Sequence, residues 1–146
     1  MNSSEPPIVV EQTFDAPVEA VWKAITEIER MKKWYFEPIP DFKAEVGFAT
    51  KFNIACNGRN FMHLWKVTEV EPNKSISYNW SYEGIGGDSF VKFELSAEGP
   101  GSRLKLTHTT TKDWPSDIPE FTREACAGGW NYFIKGTLVE YLTKGG

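Results

Sequence analysis

Between residues 41 and 110 the chain alternates apolar and polar side chains with a period of two. The alternation is clearest from Ser75 to Tyr82, where Ile76, Tyr78 and Trp80 alternate with serine and asparagine. A period of two is typical of a strand that buries one face and exposes the other. We therefore predict strands that form one sheet with a dry face and a wet face.

Short turn signals separate the alternating runs. Glycine, proline and asparagine favour the backbone conformations of tight turns, and successive strands joined by short turns pair antiparallel. The signals are Asn57-Gly58, Glu71 to Lys74, Gly84 to Gly87 and Glu98 to Gly101. Including an opening β-branched run, we predict strands at residues 8–14, 51–56, 61–70, 75–82, 89–96 and 103–110.

Two short helices are predicted after the first strand. Val18, Val21 and Ile25 recur at helical spacing, and Asp15 is the expected N-terminal cap with Pro17 in the first turn. A second short helix is expected around residues 29–33.

The final stretch, roughly residues 119–143, predicts one long helix. Its apolar stripe has three- and four-residue spacing and consists of Trp130, Phe133, Ile134, Thr137, Leu138, Tyr141 and Leu142. Since only this helix is long enough to cover the sheet, we expect an α+β fold, with a curved six- to seven-stranded antiparallel sheet around it. Residues 1–146 are predicted to form a single domain, with an ordered core at about residues 8–143 and frayed ends.

Charge and cysteine content exclude several function classes. The chain has 16 basic and 20 acidic residues, a formal charge of −4, so nucleic acid is not an expected partner. Cys56 and Cys126 match neither a metal-ligand spacing nor a redox pair, and no metal or cofactor is expected. The polar start and the lack of a long apolar run predict a cytoplasmic protein without a membrane span.

Four segments in this order resemble the START-like, or SRPBCC, superfamily. They are VEQTFDAPVEAVWKAITEIERMKKWY (residues 10–35), WKVTEVEPNKSISYNW (65–80), SRLKLTHT (102–109) and GGWNYFIKGTLVEYL (128–142). The last two are similar to the branch of the heat shock protein 90 ATPase activator. The resemblance covers about residues 8–143 and implies a helix-grip (START-like, Bet v-like) fold.

The resemblance also implies a cavity between the sheet and the C-terminal helix, where members of the superfamily bind apolar molecules. Three functions stay open: binding of a hydrophobic small molecule, a chaperone-interacting module, and a polyketide cyclase- or dehydratase-like enzyme. The eukaryotic co-chaperones of the branch carry an additional N-terminal domain, for which 146 residues leave no room. We expect binding without catalysis, of a ligand with about 20 heavy atoms and a dissociation constant of tens of micromolar.

Aromatic side chains dominate the candidate ligand-binding residues, because six Trp, ten Phe and five Tyr must line either a tight core or a cavity. The candidates lie on the predicted dry faces, on the final helix and in the loop after the second helix. They are Trp34, Phe36, Phe52, Ile54, Trp65, Tyr78, Trp80, His108, Trp130, Phe133 and Ile134. For each, ordinary core packing is the alternative.

Two histidines fall on predicted apolar faces. A neutral imidazole at His63 or His108 can donate a hydrogen bond to a ligand or serve as a general base. A histidine satisfied by backbone or water is the more common alternative at such a position. No catalytic triad or metal cluster accompanies either residue in the sequence.

Gly128 and Gly129 directly precede Trp130 near the start of the final helix. Each glycine costs a helix about 1 kcal/mol relative to alanine. Two interpretations stay open. Either the glycines leave space at the wide end of the fold, into which Trp130 projects, or they mark a kink or ragged helix start and Trp130 is simply core.

Overall fold

The computed structural model describes residues 1–144, which contain one six-stranded antiparallel sheet. The strands are β1 (Ile8–Phe14), β2 (Ala49–Cys56), β3 (Arg59–Glu71), β4 (Ser75–Tyr82), β5 (Asp88–Glu98) and β6 (Gly101–Lys112). They follow the order β1-β6-β5-β4-β3-β2, so β1 pairs with the last strand and the others form a meander. The sheet is curved around the C-terminal helix, which confirms the predicted α+β helix-grip fold.

The predicted dry faces are buried as the alternation indicated. On β4, Ile76, Tyr78 and Trp80 are all buried, and Trp65 of β3 lies directly opposite Trp80 in the antiparallel register. The ring centroids of Trp65 and Trp80 are 5.1 Å apart. Cross-strand aromatic pairs of this kind stabilise a sheet and fix its register.

The two short helices after β1 are present as α1 (Val18–Thr26) and α2 (Ile28–Trp34). The predicted cap at Asp15 is wrong, because the N-cap position is Pro17 and the helix starts without a side-chain cap. Val21 and Ile25 of α1 are buried, as their spacing predicted.

The predicted C-terminal helix divides into shorter pieces. Pro119–Phe121 forms a separate 3-10 turn, and α3 (Arg123–Asn131) begins after Thr122, whose hydroxyl accepts a hydrogen bond from the backbone N–H of Ala125. A π-helical turn (Tyr132–Thr137) continues directly into α4 (Leu138–Thr143). The hydroxyl of Thr137 donates to the backbone oxygen of Trp34 at 2.7 Å, which ties this π-helical turn to the end of α2.

The interior has two groups of buried side chains. The main core lies between the sheet and the helices and includes Trp34, Trp65, Phe93, Ile134 and Leu138. A smaller group, which we call the second cluster, consists of Phe61, Trp114 and Phe121. Two of its three members, Trp114 and Phe121, come from the connection between β6 and α3, where no periodic pattern predicted burial.

The first residues are not frayed, contrary to the prediction. The α-amino group of Met1 donates to the backbone oxygen of Phe121 at 2.7 Å, and the backbone N–H of Trp114 donates to Met1. Arg123 donates to the backbone oxygens of Pro6 and Pro7. These bonds hold residues 1–7 against the second cluster; of the predicted frayed C-terminus, residues 145–146 lie outside the described chain.

No helix within residues 1–144 combines the length and the apolar character needed to cross a lipid bilayer. The cytoplasmic location stays a prediction.

Candidate ligand-binding site

A cavity of about 140 Å³ lies between the sheet and the N-terminal part of the C-terminal helix. It sits at the boundary of the main core and the second cluster, because side chains of both groups line it. Its walls come from β3, β4, β6, α3, the π-helical turn and the connecting segments. The lining residues are Met1, Phe36, His63, Trp80, Tyr82, His108, Trp114, Glu120, Phe121, Cys126, Gly129, Trp130 and Phe133.

The structure brings five of the eleven predicted ligand-binding residues to this cavity: Phe36, Trp80, His108, Trp130 and Phe133. His63, predicted only as a possible acid–base residue, lines it as well. The other six predicted residues lie elsewhere, namely Trp34, Phe52, Ile54, Trp65, Tyr78 and Ile134.

Tyr35 is the reason why much of the predicted pocket is filled. Its ring stacks on Trp34 at 4.6 Å and lies 5.4 Å from Trp65, between the sheet and the helix. Its hydroxyl forms a 2.9 Å hydrogen bond with the hydroxyl of Tyr78. Trp34 donates from Nε1 to the backbone oxygen of Ala24, which also fixes it in the core.

The remaining three residues pack against other parts of the main core. Phe52 stacks on the His63 ring at 4.9 Å and so supports the cavity wall from behind. Ile54 is half-buried next to the core on β2, and Ile134 is fully buried in the π-helical turn. These residues do not line the cavity, and a ligand contact at them stays a prediction.

His63 is held in one neutral form by its backbone contact. Its Nδ1 lies 2.9 Å from the backbone oxygen of Phe61, which can only accept, so Nδ1 carries the proton. Burial lowers the pKa of His63 to about 4, although the hydrogen bond to Phe61 opposes that shift. The imidazole is therefore neutral at neutral pH, and its Nε2 is a lone-pair acceptor.

His108 is the centre of a small polar network at the start of α3. Its Nδ1 accepts a hydrogen bond from Trp130 Nε1 at 3.0 Å and lies 3.1 Å from Cys126 Sγ. Burial lowers the pKa of His108 to about 4, so this ring is also neutral at neutral pH. The network explains the position of Trp130: its ring lines the cavity while its polar edge is anchored to β6.

The two helix glycines differ in position. α3 runs through both, so the ragged helix start is wrong, and Gly129 lines the cavity whereas Gly128 does not. A Cβ added to either would meet no atom of residues 1–144 within 4 Å. Both glycines are exposed, so this open space does not distinguish the two interpretations of the pair. Trp130 is both buried and part of the cavity wall.

Sequence reasoning missed several cavity residues. Trp114, Glu120 and Phe121 belong to the connection between β6 and α3, and Cys126 lies on the first turn of the helix. Two aromatic residues in a segment interrupted by Pro115 and Pro119 were the available signal, because isolated aromatics in such connections have to be buried somewhere.

The site has limited covalent chemistry. Burial raises the pKa of the Cys126 thiol to about 12, so it stays protonated and is a poor nucleophile. Glu120 lines the cavity with its carboxylate held by Arg59 at 2.9 Å and by Asn57 at 2.9 Å. Within residues 1–144 no group of three or more His, Cys, Asp or Glu residues is placed to hold a metal ion.

Comparison with solved structures gives many similar chains. CalU16 from Micromonospora echinospora is 31% identical with a TM-score of 0.68, covering 94% of this chain and 76% of that one. Protein MLL2253 from Mesorhizobium loti is 27% identical with a TM-score of 0.72, over 94% and 97% of the two chains. DynU16, a protein in the dynemicin biosynthetic locus, shares the fold at 24% identity with a TM-score of 0.75 over 97% of this chain and 48% of its own.

No curated protein sequence matches the chain at a significant level. The family model described as "Activator of Hsp90 ATPase homolog 1-like protein" matches residues 15–143. The match covers both short helices, five of the six strands and the whole C-terminal helix. The chain therefore belongs to the family of Activator of Hsp90 ATPase homolog 1-like proteins.

Proposed function

We propose that the protein binds a small ring-shaped apolar molecule in the cavity between the sheet and α3. The observation that carries this proposal is the cavity of about 140 Å³, lined mainly by aromatic side chains of two separate clusters. An engineered apolar cavity of about 150 Å³ in another protein binds benzene, so this volume is sufficient for one six-membered ring.

The cavity volume revises the expected ligand size. A molecule of about 20 heavy atoms, as expected from the sequence, needs several hundred Å³. Tyr35 and its neighbours fill the centre of the fold, and the cavity lies at the end near Trp114 and Phe121. The proposed ligand is therefore a single ring with few substituents.

The neighbouring glycines provide a matched test. Gly129→Leu places a side chain at the cavity wall, whereas Gly128→Leu adds the same side chain one residue away, outside the lining. Calorimetric melting of each protein with and without benzene measures binding, because a ligand that binds only the folded state raises the melting temperature. We expect benzene to raise the melting temperature of the wild type and of Gly128→Leu. The rise should be much smaller for Gly129→Leu.

Two results would contradict the proposal. The first is no benzene-induced rise in the wild type at saturation. The second is an equal rise in all three proteins, which would place the binding elsewhere.

Proton transfer within the cavity is a second candidate function. The favouring observation is that His63 lines the cavity in neutral form with the lone pair of Nε2 unengaged, because its proton is on Nδ1. A neutral imidazole can remove a proton from a carbon next to a carbonyl group. Deuterium incorporation into cyclopentanone in heavy water, followed by proton NMR, tests this: the wild type should accelerate it and His63→Gln should not. Equal exchange rates with and without protein would exclude the enzyme alternative for this substrate class.

A chaperone-interacting role is supported only by the family match. It predicts that the purified protein binds a heat shock protein 90 chaperone and changes its ATPase rate. Co-purification followed by an ATPase assay separates this role from ligand binding, because Gly129→Leu should leave the chaperone effect intact.

A further inference from the structure

The hydrogen-bond network of His108 determines which of its ring nitrogens carries the proton. An indole N–H can only donate, so Trp130 Nε1, at 3.0 Å, requires a lone pair on His108 Nδ1. The Sγ atom of Cys126 lies 3.1 Å from the same nitrogen, and its thiol can also donate a hydrogen bond to it. In the neutral ring the single proton must then be on Nε2. His108 therefore presents an N–H donor at Nε2.

That donor has no partner. Among residues 1–144, three buried side-chain nitrogens or oxygens make no hydrogen bond: His108 Nε2, Trp114 Nε1 and Trp65 Nε1. Two of the three belong to residues that line the cavity, His108 and Trp114, and each of these is only 5% exposed. A buried donor without an acceptor is uncommon in folded proteins and is destabilising.

The other polar groups of the cavity wall include one acceptor, His63 Nε2, whose ring is neutral. Tyr82 accepts a hydrogen bond from Trp80 Nε1 at 2.9 Å, which leaves its own hydroxyl proton unused. The carboxylate of Glu120 is paired with Arg59. The lining also includes Met1, whose cationic α-amino group donates to the backbone oxygen of Phe121 at 2.7 Å. The lining therefore holds one anion and one cation, each already bound to a protein partner, so a charged ligand would be desolvated without a free counter-charge.

From this arrangement we infer that the cavity selects a neutral ring compound that carries a hydrogen-bond acceptor, such as a ring nitrogen, a carbonyl or an ether oxygen. The acceptor receives a hydrogen bond from His108 Nε2 or Trp114 Nε1, and the ring occupies the space between Trp80, Trp130 and Phe133. The inference rests on the proposed ligand-binding function and adds the chemical class of the ligand. It also gives a reason why two buried donors without a protein partner belong to residues of the cavity wall.

Benzene and pyridine form a matched pair of probes. Both are six-membered rings of nearly equal size, and they differ in the single ring nitrogen, which accepts a hydrogen bond and is neutral at neutral pH. Titration calorimetry gives the ratio of the two dissociation constants for each protein. The ratio is determined for each protein and then compared between proteins. The free-energy cost of dehydrating pyridine cancels in this comparison, because it is the same for every protein.

Trp114→Phe removes the N–H group and keeps an aromatic ring. We expect the preference for pyridine over benzene to fall about five- to tenfold in this variant, the usual effect of losing one buried hydrogen bond. His108→Asn, which lacks the Nε2 donor, should lower it by a similar factor. Trp65→Phe is the matched control, since Trp65 Nε1 is also unpartnered but its ring lies outside the cavity lining. Its ratio should equal that of the wild type.

A measurement on the unmodified protein does not depend on the stability of any variant. In a proton–nitrogen correlation spectrum, pyridine should shift the indole N–H resonance of Trp114 or the imidazole Nε2–H resonance of His108 downfield. Benzene should shift neither downfield, and the Trp65 resonance should be nearly unchanged with both probes.

The outcomes distinguish a failure of the proposed ligand-binding function from a failure of this inference alone. If neither probe binds, the ligand-binding function and this inference are both refuted. If both bind, and the ratio is the same in the wild type, Trp114→Phe and His108→Asn with no downfield shift, the cavity binds rings without recognising an acceptor. In that case only the inference fails.

Discussion

The two buried histidines should make the protein sensitive to mild acid. Burial lowers the pKa of both His63 and His108 from 6.5 to about 4 in the folded state. The unfolded chain therefore binds protons first as the pH falls. The folded state has its full stability above the unfolded pKa of 6.5, and it loses stability progressively as the pH falls towards about 4.

The size of the effect follows from the two pKa values. Between about pH 8 and about pH 5, a histidine whose pKa is 6.5 unfolded and about 4 folded lowers the free energy of unfolding by about 2 kcal/mol. The two histidines together lower it by about 4 kcal/mol. Since single domains have about 5–15 kcal/mol in total, this is a large fraction of the stability.

Urea unfolding followed by tryptophan fluorescence, at several pH values between about 5 and 8, measures this free energy directly. His63→Gln and His108→Gln replace each imidazole by an amide that does not titrate. Each variant should be less stable than the wild type at high pH, but its stability should depend less on pH, by about 2 kcal/mol over this range.

Three carboxylates with shifted pKa values do not affect this measurement. Asp113, Glu120 and Glu140 have lowered pKa values because of hydrogen bonds to Ser3, Asn57 and Lys144 respectively, so their contribution is lost only at more acidic pH. The reasoning would be refuted by a wild-type stability that is flat between about pH 8 and about pH 5. It would also be refuted by glutamine variants whose pH profiles match that of the wild type.

Three further substitutions test the packing, each by the midpoint of urea unfolding. Gly128→Ala should stabilise the protein by about 0.5–1 kcal/mol, because its Cβ meets open space in a helix, and an unchanged midpoint would contradict this. Gly87→Ala should be clearly destabilising, because the residue has φ +103° and its Cβ would overlap the ring of Trp114. An unchanged stability would show that the turn between β4 and β5 can move away from Trp114. Tyr78→Phe should cost about 1–3 kcal/mol, because it leaves the buried hydroxyl of Tyr35 without its partner. The double variant with Tyr35→Phe should recover part of that loss, and strictly additive effects would argue against the pair.

The fold could be predicted from the sequence because its signals are local. The alternation of apolar and polar side chains along β4 shows which face of the strand is buried, and this does not depend on which strands pair with β4. The burial of Ile76 and Tyr78 follows from the alternation alone. The helix stripe at Trp130, Ile134 and Leu138 is a local signal of the same kind. The wrong cap at Asp15 shows the limit, since proline and aspartate two residues apart are both compatible with a helix start.

The site could be predicted only in part, because its walls depend on contacts between distant residues. Met1 and Trp114 are joined by a backbone hydrogen bond although they are far apart in the sequence, and no pattern in either segment indicates this. Tyr35 directly follows α2, and only the three-dimensional path of the chain shows that it fills the space expected for a ligand. The predicted residues on the filled side, such as Trp65 and Ile134, are buried in the core and do not line the cavity, so ligand contact at them stays a prediction.

The polar groups around the cavity differ from those in the filled part of the interior. In the main core, Trp34 donates to Ala24 and Tyr35 is paired with Tyr78, so buried polar atoms have partners, with Trp65 as the exception. At the cavity, His108 and Trp114 each keep a donor unused. A simple packing defect would be expected to have an apolar lining, as empty cavities in proteins generally do. Since each unused donor costs about 1–3 kcal/mol, its presence at the cavity wall is better explained by an acceptor that the protein binds than by incomplete packing.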